Sequence, residues 1–458
     1  MHHMKLKQFV LGNEGRALEI TAEFCQKLKS NYEGTPKYKL AELGVVRNGV
    51  VESAENVSAK SQNPFVFSIE VPTLKIPQQY HSGRCWLFAI VNLLNQQISQ
   101  KLEIAEFELS QNYLYFYDKL EKANFFYKNI IETADLELGS RELDFLLSKP
   151  QEDGGQWDML VSLIEKYGIV PSYSMPETEN SRSSADMNKY LNAKLRLDAK
   201  KLRQMVAEDC SQKDIDEVTS QMLAEVYRML AICIGAPPEK IDMKYRDDAG
   251  NYHAGLNLTP KEFANKYLLM NLKDYIPIIH APSKNKVYNQ TYTVAMMGNI
   301  IEGQPIKYLN VDMATLKALT IKQLKDHEAV WFGSDIGQYT DRKLGIMATD
   351  IYAVDNLFDV DFTSNKQDRL EYCQSLLTHA MVISGVDLQN DQPTIWKVQN
   401  SWGEEIGYKG FFMMTDAWLE EYVYQVVINK KYLTKEQLAK YQEEPVILPP
   451  WDPMGSLA

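Results

Sequence analysis

Four side chains in this sequence have the types and order needed to hydrolyse an amide. Gln79 stands six residues ahead of Cys85 in Gln79-Tyr80-His81-Ser82-Gly83-Arg84-Cys85-Trp86. His379 follows in Leu377-Thr378-His379-Ala380, and Asn400 begins Asn400-Ser401-Trp402-Gly403. Thiol hydrolysis needs a thiolate, a base, a group that orients the base, and donors for an oxyanion. Cys85 can attack, and His379 can take its proton and pass it to the leaving amine. Asn400 can accept a hydrogen bond from the second ring nitrogen and fix the tautomer. The Gln79 amide and the Cys85 N–H can hold the oxyanion. Trp402 could cover the His–Asn bond. Singly, each has a plainer reading: a Cys before an apolar helix is a small hydrophobe, and Asn-Ser-Trp-Gly is a turn. The ordered set of four carries the argument. His81, His253, His280 and His327 are read as surface or core residues.

These side chains need elements to position them. Residues 85–103 have helical apolar spacing (Trp86, Leu87, Phe88, Ile90, Val91, Leu93, Leu94, Ile98), which puts Cys85 at a helix N-terminus, where the dipole favours a thiolate. Residues 14–32 predict an amphipathic helix, and 40–75 short strands and loops. Two further helices are expected within 108–165, interrupted by Asp153-Gly154-Gly155. The stretch 184–232 is charged, lacks glycine and proline, and reads as helical. From about 276 onward the texture is β. A last helix over 434–442 precedes a tail whose prolines at 445, 449, 450 and 453 predict a stiff, extended arm.

A chain of 458 residues can bury a large core. No run of about 18 apolar residues predicts a membrane span, and the polar start lacks the apolar core of a signal peptide. Five scattered cysteines point to a reducing cytosol rather than a disulfide framework. Without CxxC or HExxH, no metal site is expected, and no cofactor. The net charge of −12 argues against a nucleic-acid binder as a whole. Locally, Arg182, Lys189, Lys194, Arg196, Lys200, Lys201 and Arg203 are offset only by Asp186 and Asp198, which keeps a weak nucleic-acid contact open beside a solvated helix face.

The run from Gln79 to Ala89 resembles the cysteine region of the papain superfamily. Its form Ser82-Gly83-Arg84-Cys85-Trp86 is similar to that of the bleomycin hydrolase and bacterial aminopeptidase C family. Asp153-Gly154-Gly155-Gln156-Trp157-Asp158, Lys166-Tyr167-Gly168-Ile169-Val170-Pro171, Tyr245-Arg246-Asp247-Asp248, Val330-Trp331-Phe332-Gly333, the stretch Thr415 to Gln425, and Trp451-Asp452-Pro453-Met454-Gly455 extend the likeness from about residue 55 to the end. The resemblance implies cysteine aminopeptidase action on peptides.

The separation from Cys85 to His379 is 294 residues. Simple papain-type enzymes use about 130–150, so roughly 150 residues are inserted. The resemblance implies that this is a hook that assembles a homohexamer; a monomeric lid or a solvated helical bundle is the alternative, and composition does not choose between them. The arm ending at Ala458 could lie in one end of the cleft, its carboxylate facing a substrate α-ammonium; a disordered terminus is the alternative. Gly154 and Gly155 can let an extended peptide backbone approach. The expected fold is α+β: a papain-like helical half (1–180), an inserted helical hook (181–270), a β-rich half with His379 and Asn400 (271–432), and a C-terminal helix and arm (433–458).

Overall fold

The computed structural model describes residues 20–61 and 64–456. Two compact units share them. One comprises residues 20–61 together with 350–363. Its helices span Ala22–Glu33, Pro36–Asn48, Val50–Ser53, Val57–Ser61 and Val354–Phe358. Thr21 caps the first by accepting the Phe24 N–H, and Pro36 enters the first turn of the second, where its missing N–H costs nothing. Positions 14–19 of the expected first helix lie outside the described residues. The strands expected over 40–75 are replaced by helix up to Ser61, with Ile69–Glu70 the only strand among the described residues of that stretch. Thr35-Pro36 is a helix start, and Leu40, Leu43 and Val46 recur at helical spacing, a period the strand reading overlooked.

The second unit holds Gln79, Cys85, His379 and Asn400. Its helical part contains α1 (Cys85–Leu102), α2 (Gln111–Glu132), α3 (Trp157–Tyr167), α4 (Ala185–Ala207) and α5 (Gln212–Ile234). Helix α1 is buried on nearly every side, which an all-round apolar sequence requires. The inner stripes of α4 (Leu191, Leu195, Leu202) and α5 (Met222, Val226, Leu230) join the same hydrophobic cluster as α1. The region expected as a helical hook is not helical throughout. A hairpin of Ile241–Arg246 and Tyr252–Leu258 follows α5, joined by an Asp247–Gly250 turn; Ile241 and Met243 alternate inward on its first strand, while its second is mostly exposed.

The β part is one mixed sheet of twelve strands among the described residues. Nine of them are β1 (Tyr275–Ile279), β2 (Gln290–Val294), β3 (Tyr308–Asn310), β4 (Val330–Ser334), β5 (His379–Gln389), β6 (Gln392–Gln399), β7 (Phe411–Thr415), β8 (Val423–Asn429) and β9 (Val446–Leu448); the short strands Ile69–Glu70, Thr340–Asp341 and Ile346–Met347 complete it. The nine pair in the order β9-β2-β3-β1-β8-β4-β5-β6-β7. In the antiparallel β5–β6 pair Val382 faces Gln399, so the first residue of β5 and the residue after β6 meet at one end of the sheet. The Trp331 indole N–H reaches the carbonyl of Trp86 at 3.3 Å and ties β4 to α1. The described part of the tail forms the strand β9, parallel to β2; beyond it the chain turns at Pro449–Asp452 and again in a 3-10 turn at Pro453–Gly455.

Candidate active site

Cys85 is the first residue of α1, and no side chain caps that helix. The Leu87 N–H turns back to Arg84 O at 3.0 Å, which leaves the N–H groups of Cys85 and Trp86 to favour an anion on sulfur. The Ala380 N–H, one residue past His379, donates to Cys85 Sγ at 3.5 Å. Burial pushes the Cys85 thiol up to about 11; the N–H groups of Ala380, Trp86 and Cys85 oppose this, and the Asp153 carboxylate adds to it.

His379 opens β5 and is buried. Its Nε2 lies 2.8 Å from Asn400 Oδ1. The same oxygen accepts the Ser401 backbone N–H at 2.8 Å. A backbone N–H can only donate, so that atom is the amide oxygen and His379 Nε2 carries the hydrogen. Nδ1 is then the basic nitrogen. Burial lowers His379 to about 4; the Asn400 bond opposes this and the nearby Arg342 charge adds to it. Burial thus disfavours each charge alone, whereas thiolate and imidazolium formed together compensate one another.

Gln79 is pinned by both of its polar ends. Its Oε1 accepts the Ser401 hydroxyl at 2.5 Å, and its Nε2 donates to the Ser82 carbonyl at 2.6 Å. One Nε2 hydrogen is left for an oxyanion. Its backbone N–H reaches Ser401 O at 2.8 Å. Tyr80, next in sequence, has φ +54, and Arg182 lies over its ring at 5.0 Å. The His81 N–H bonds to Arg182 O at 2.8 Å, so this loop is strapped to the chain entering α4.

Asp153 anchors the loop from the other side. Its carboxylate accepts from Gly83 N–H (3.1 Å), Tyr115 OH (2.7 Å), Asn188 Nδ2 (2.8 Å) and the Ser184 hydroxyl, and pairs with buried Lys119 at 2.7 Å. Burial alone would raise it, but Lys119 and these donors hold it well below the usual carboxylate range. Arg84 is fully buried, bidentate to Glu177 at 3.0 and 2.7 Å.

A cavity of about 910 Å³ opens on these groups, lined by Gln79, Gly83, Cys85, Gly154 and His379 and by the arm from Pro450 to Pro453 with Gly455 and Ser456. Two glycines expected to meet substrate differ. Gly154 lines the cavity, whereas Gly155 packs on Trp86: a Cβ there would lie 2.5 Å from the indole. Trp402 lies against the His379 ring, centroids 4.8 Å apart, and not among the cavity residues. Ala458 lies outside the described residues. Sequence reasoning missed Ser401 as the partner of Gln79, and Ser184 and Asn188 as partners of Asp153. Ser401 adjoins Asn400, but nothing in spacing links it to a residue 322 positions away.

Helix-borne cysteine, strand-borne histidine and an asparagine beyond the next strand define a papain-like cysteine peptidase. The chain matches the model of the Peptidase C1-like family over residues 19–455. It is 48% identical over 440 residues to Aminopeptidase C of Listeria innocua, covering 96% of this chain and 99% of the relative. It is 45% identical, with the same coverage, to Aminopeptidase C of Streptococcus thermophilus. The crystal structure of PepW from Lactobacillus rhamnosis HN001 superimposes with a TM-score of 0.94 at 50% identity, covering 96% of this chain and 99% of that one. The chain belongs to the Peptidase C1-like family, in its bleomycin hydrolase and aminopeptidase C branch, and is a papain-like cysteine aminopeptidase.

Proposed function

We propose that this chain is a cytosolic enzyme that releases N-terminal residues from peptides through a thioester on Cys85. His379 Nδ1 takes the thiol proton as sulfur attacks the carbonyl carbon. The second Gln79 N–H and the Cys85 N–H receive the oxyanion. The imidazolium then protonates the leaving amine as the C–N bond breaks, and water, deprotonated by the same imidazole, releases the acid. Asn400 keeps the tautomer, and Trp402 keeps water from its bond to His379.

The observation that carries the exopeptidase reading is the seat of the arm. Ser456 Oγ donates to the Leu377 carbonyl at 2.6 Å, two residues ahead of His379, and Gln156 Nε2 donates to Ser456 O at 2.9 Å. The arm thus occupies one side of the cavity, where residues preceding the scissile bond of a longer chain would run. The test uses a fluorogenic substrate with a free α-amine and its N-acetylated twin, with wild type and Cys85→Ala. Wild type should cut the free-amine substrate alone, and Cys85→Ala should lose activity by at least about 10⁴-fold while keeping its fold. Equal cleavage of both substrates would remove the arm's role; turnover by folded Cys85→Ala would remove the mechanism.

Five free cysteines fit a reducing compartment. Exposed Tyr190, Leu197 and Ile232 on α4 and α5 support assembly through this region into the hexamer that the family resemblance implies; sedimentation at working concentration tests it. Weak nucleic-acid contact by the same region would fall to Arg182, Lys189, Lys200 and Lys201, which are exposed. Lys194 pairs with Asp198 and Glu225, while Arg196 and Arg203 donate to backbone carbonyls.

A further inference from the structure

The arm is held by more than its backbone. Lys286 Nζ and Asp452 Oδ2 lie 2.7 Å apart, with side chains only 2% and 4% exposed. Lys286 sits outside the arm, in the loop before β2, where its N–H bonds to Ser283 O at 2.9 Å. The second oxygen of Asp452 accepts the Met454 N–H at 2.9 Å and so shapes the turn that leads to Ser456.

A buried charge is tolerated only with its partner in place. When the arm is seated, the pair is complete. When it is released, both charges gain water. A partly seated arm would leave one of them buried and alone, so the pair makes seating close to all-or-none. The stacking of Arg141 on Trp451, 3.8 Å from the ring centroid, adds a contact at the rim that carries no such penalty when broken.

We propose that the Lys286–Asp452 pair is the latch that seats the arm and thereby sets the preference for free over blocked N-termini. The latch rests on the exopeptidase reading above. Lys286 and Asp452 are positioning residues: they act on substrate choice through the turn at 453–455 and Ser456, and the pair itself leaves the thiol chemistry unchanged.

The experiment compares wild type, Lys286→Met, Asp452→Asn and a chain shortened to end at Pro449. It measures the ratio of cleavage of the N-acetylated to the free-amine substrate, with thermal unfolding as the check on folding. Asp452→Asn keeps an oxygen for the Met454 N–H and is the milder variant should Lys286→Met fail to fold. Either variant should raise the ratio at least about tenfold, toward that of the shortened chain. An unchanged ratio in a folded variant, alongside a raised ratio in the shortened chain, overturns the latch and leaves the exopeptidase reading standing. A shortened chain that gains nothing overturns that reading, and the latch with it.

Discussion

The Ser401 hydroxyl donates to Gln79 Oε1 at 2.5 Å while its neighbour Asn400 holds His379 at 2.8 Å. One dipeptide at the end of β6 therefore fixes both the Gln79 amide, the proposed oxyanion donor on the loop before α1, and His379, the proposed base on β5. The two backbones are laced as well, with Gln79 N–H on Ser401 O and Gly403 N–H on Pro77 O at 3.1 Å.

Ser401→Ala should act through Gln79. Losing the hydroxyl leaves Oε1 buried without that donor and lets the amide rotate. The expected result is a fall in kcat of about tenfold with little change in KM, against about 10²–10³-fold for Gln79→Ala. Steady-state kinetics on a free-amine substrate check it. A Ser401→Ala effect confined to KM would place Ser401 in substrate binding instead.

Acid should weaken the fold through its buried histidines. Burial lowers both His379 and His280 to about 4. The unfolded chain protonates them near pH 6.5, as ordinary histidines. Their stabilising effect is thus complete above about pH 6.5 and is lost as pH falls toward 4, on the order of 3 kcal/mol for each. Denaturant unfolding at pH 7.5 and 4.5 reads this. His280→Gln should lose less stability across that interval than wild type; an identical loss would refute the assignment.

Asp158 works in the opposite sense. Burial raises it to about 7, opposed by the Lys307 N–H that it accepts at 3.1 Å. Its contribution is complete below about pH 3.8 and is lost as pH rises through 7, where the fold must hold a buried carboxylate. Asp158→Asn should therefore stabilise the protein at pH 8, by roughly 2–4 kcal/mol, and bring little at pH 4. Equilibrium unfolding at the two pH values decides it.

Gly155→Ala should damage packing and catalysis together. The added Cβ would meet Trp86, whose indole is fully buried and bonded to Asp153 O at 2.8 Å, so the ring has no room to yield. Overpacking of this kind costs about 1–3 kcal/mol. Because Trp86 follows Cys85, the shift should also reach the nucleophile. A variant with native melting temperature and activity would show that the indole can move.

Legibility in the sequence followed the range of each interaction. Helix α1 was visible because its apolar residues repeat within a few positions, and α4 and α5 because long runs lack glycine and proline. The 40–61 stretch was misread because short apolar runs fit two periods, and packing rather than spacing selects one. The hairpin at 241–258 was hidden inside a charged segment.

By itself the sequence determined the candidate catalytic set: a thiol at a helix start, then a histidine and an asparagine in β-type surroundings, with a glutamine six residues ahead of the thiol. Those are properties of residue type, order and local period. Only the tertiary structure decided which hydrogen of Gln79 is free, that Gly155 serves Trp86, that Asp153 joins the Cys85 loop to α4, and that Lys286 meets Asp452. Each of these depends on groups brought together from distant parts of the chain, where a displacement of about 1 Å makes or breaks a hydrogen bond, and no local pattern encodes distance on that scale.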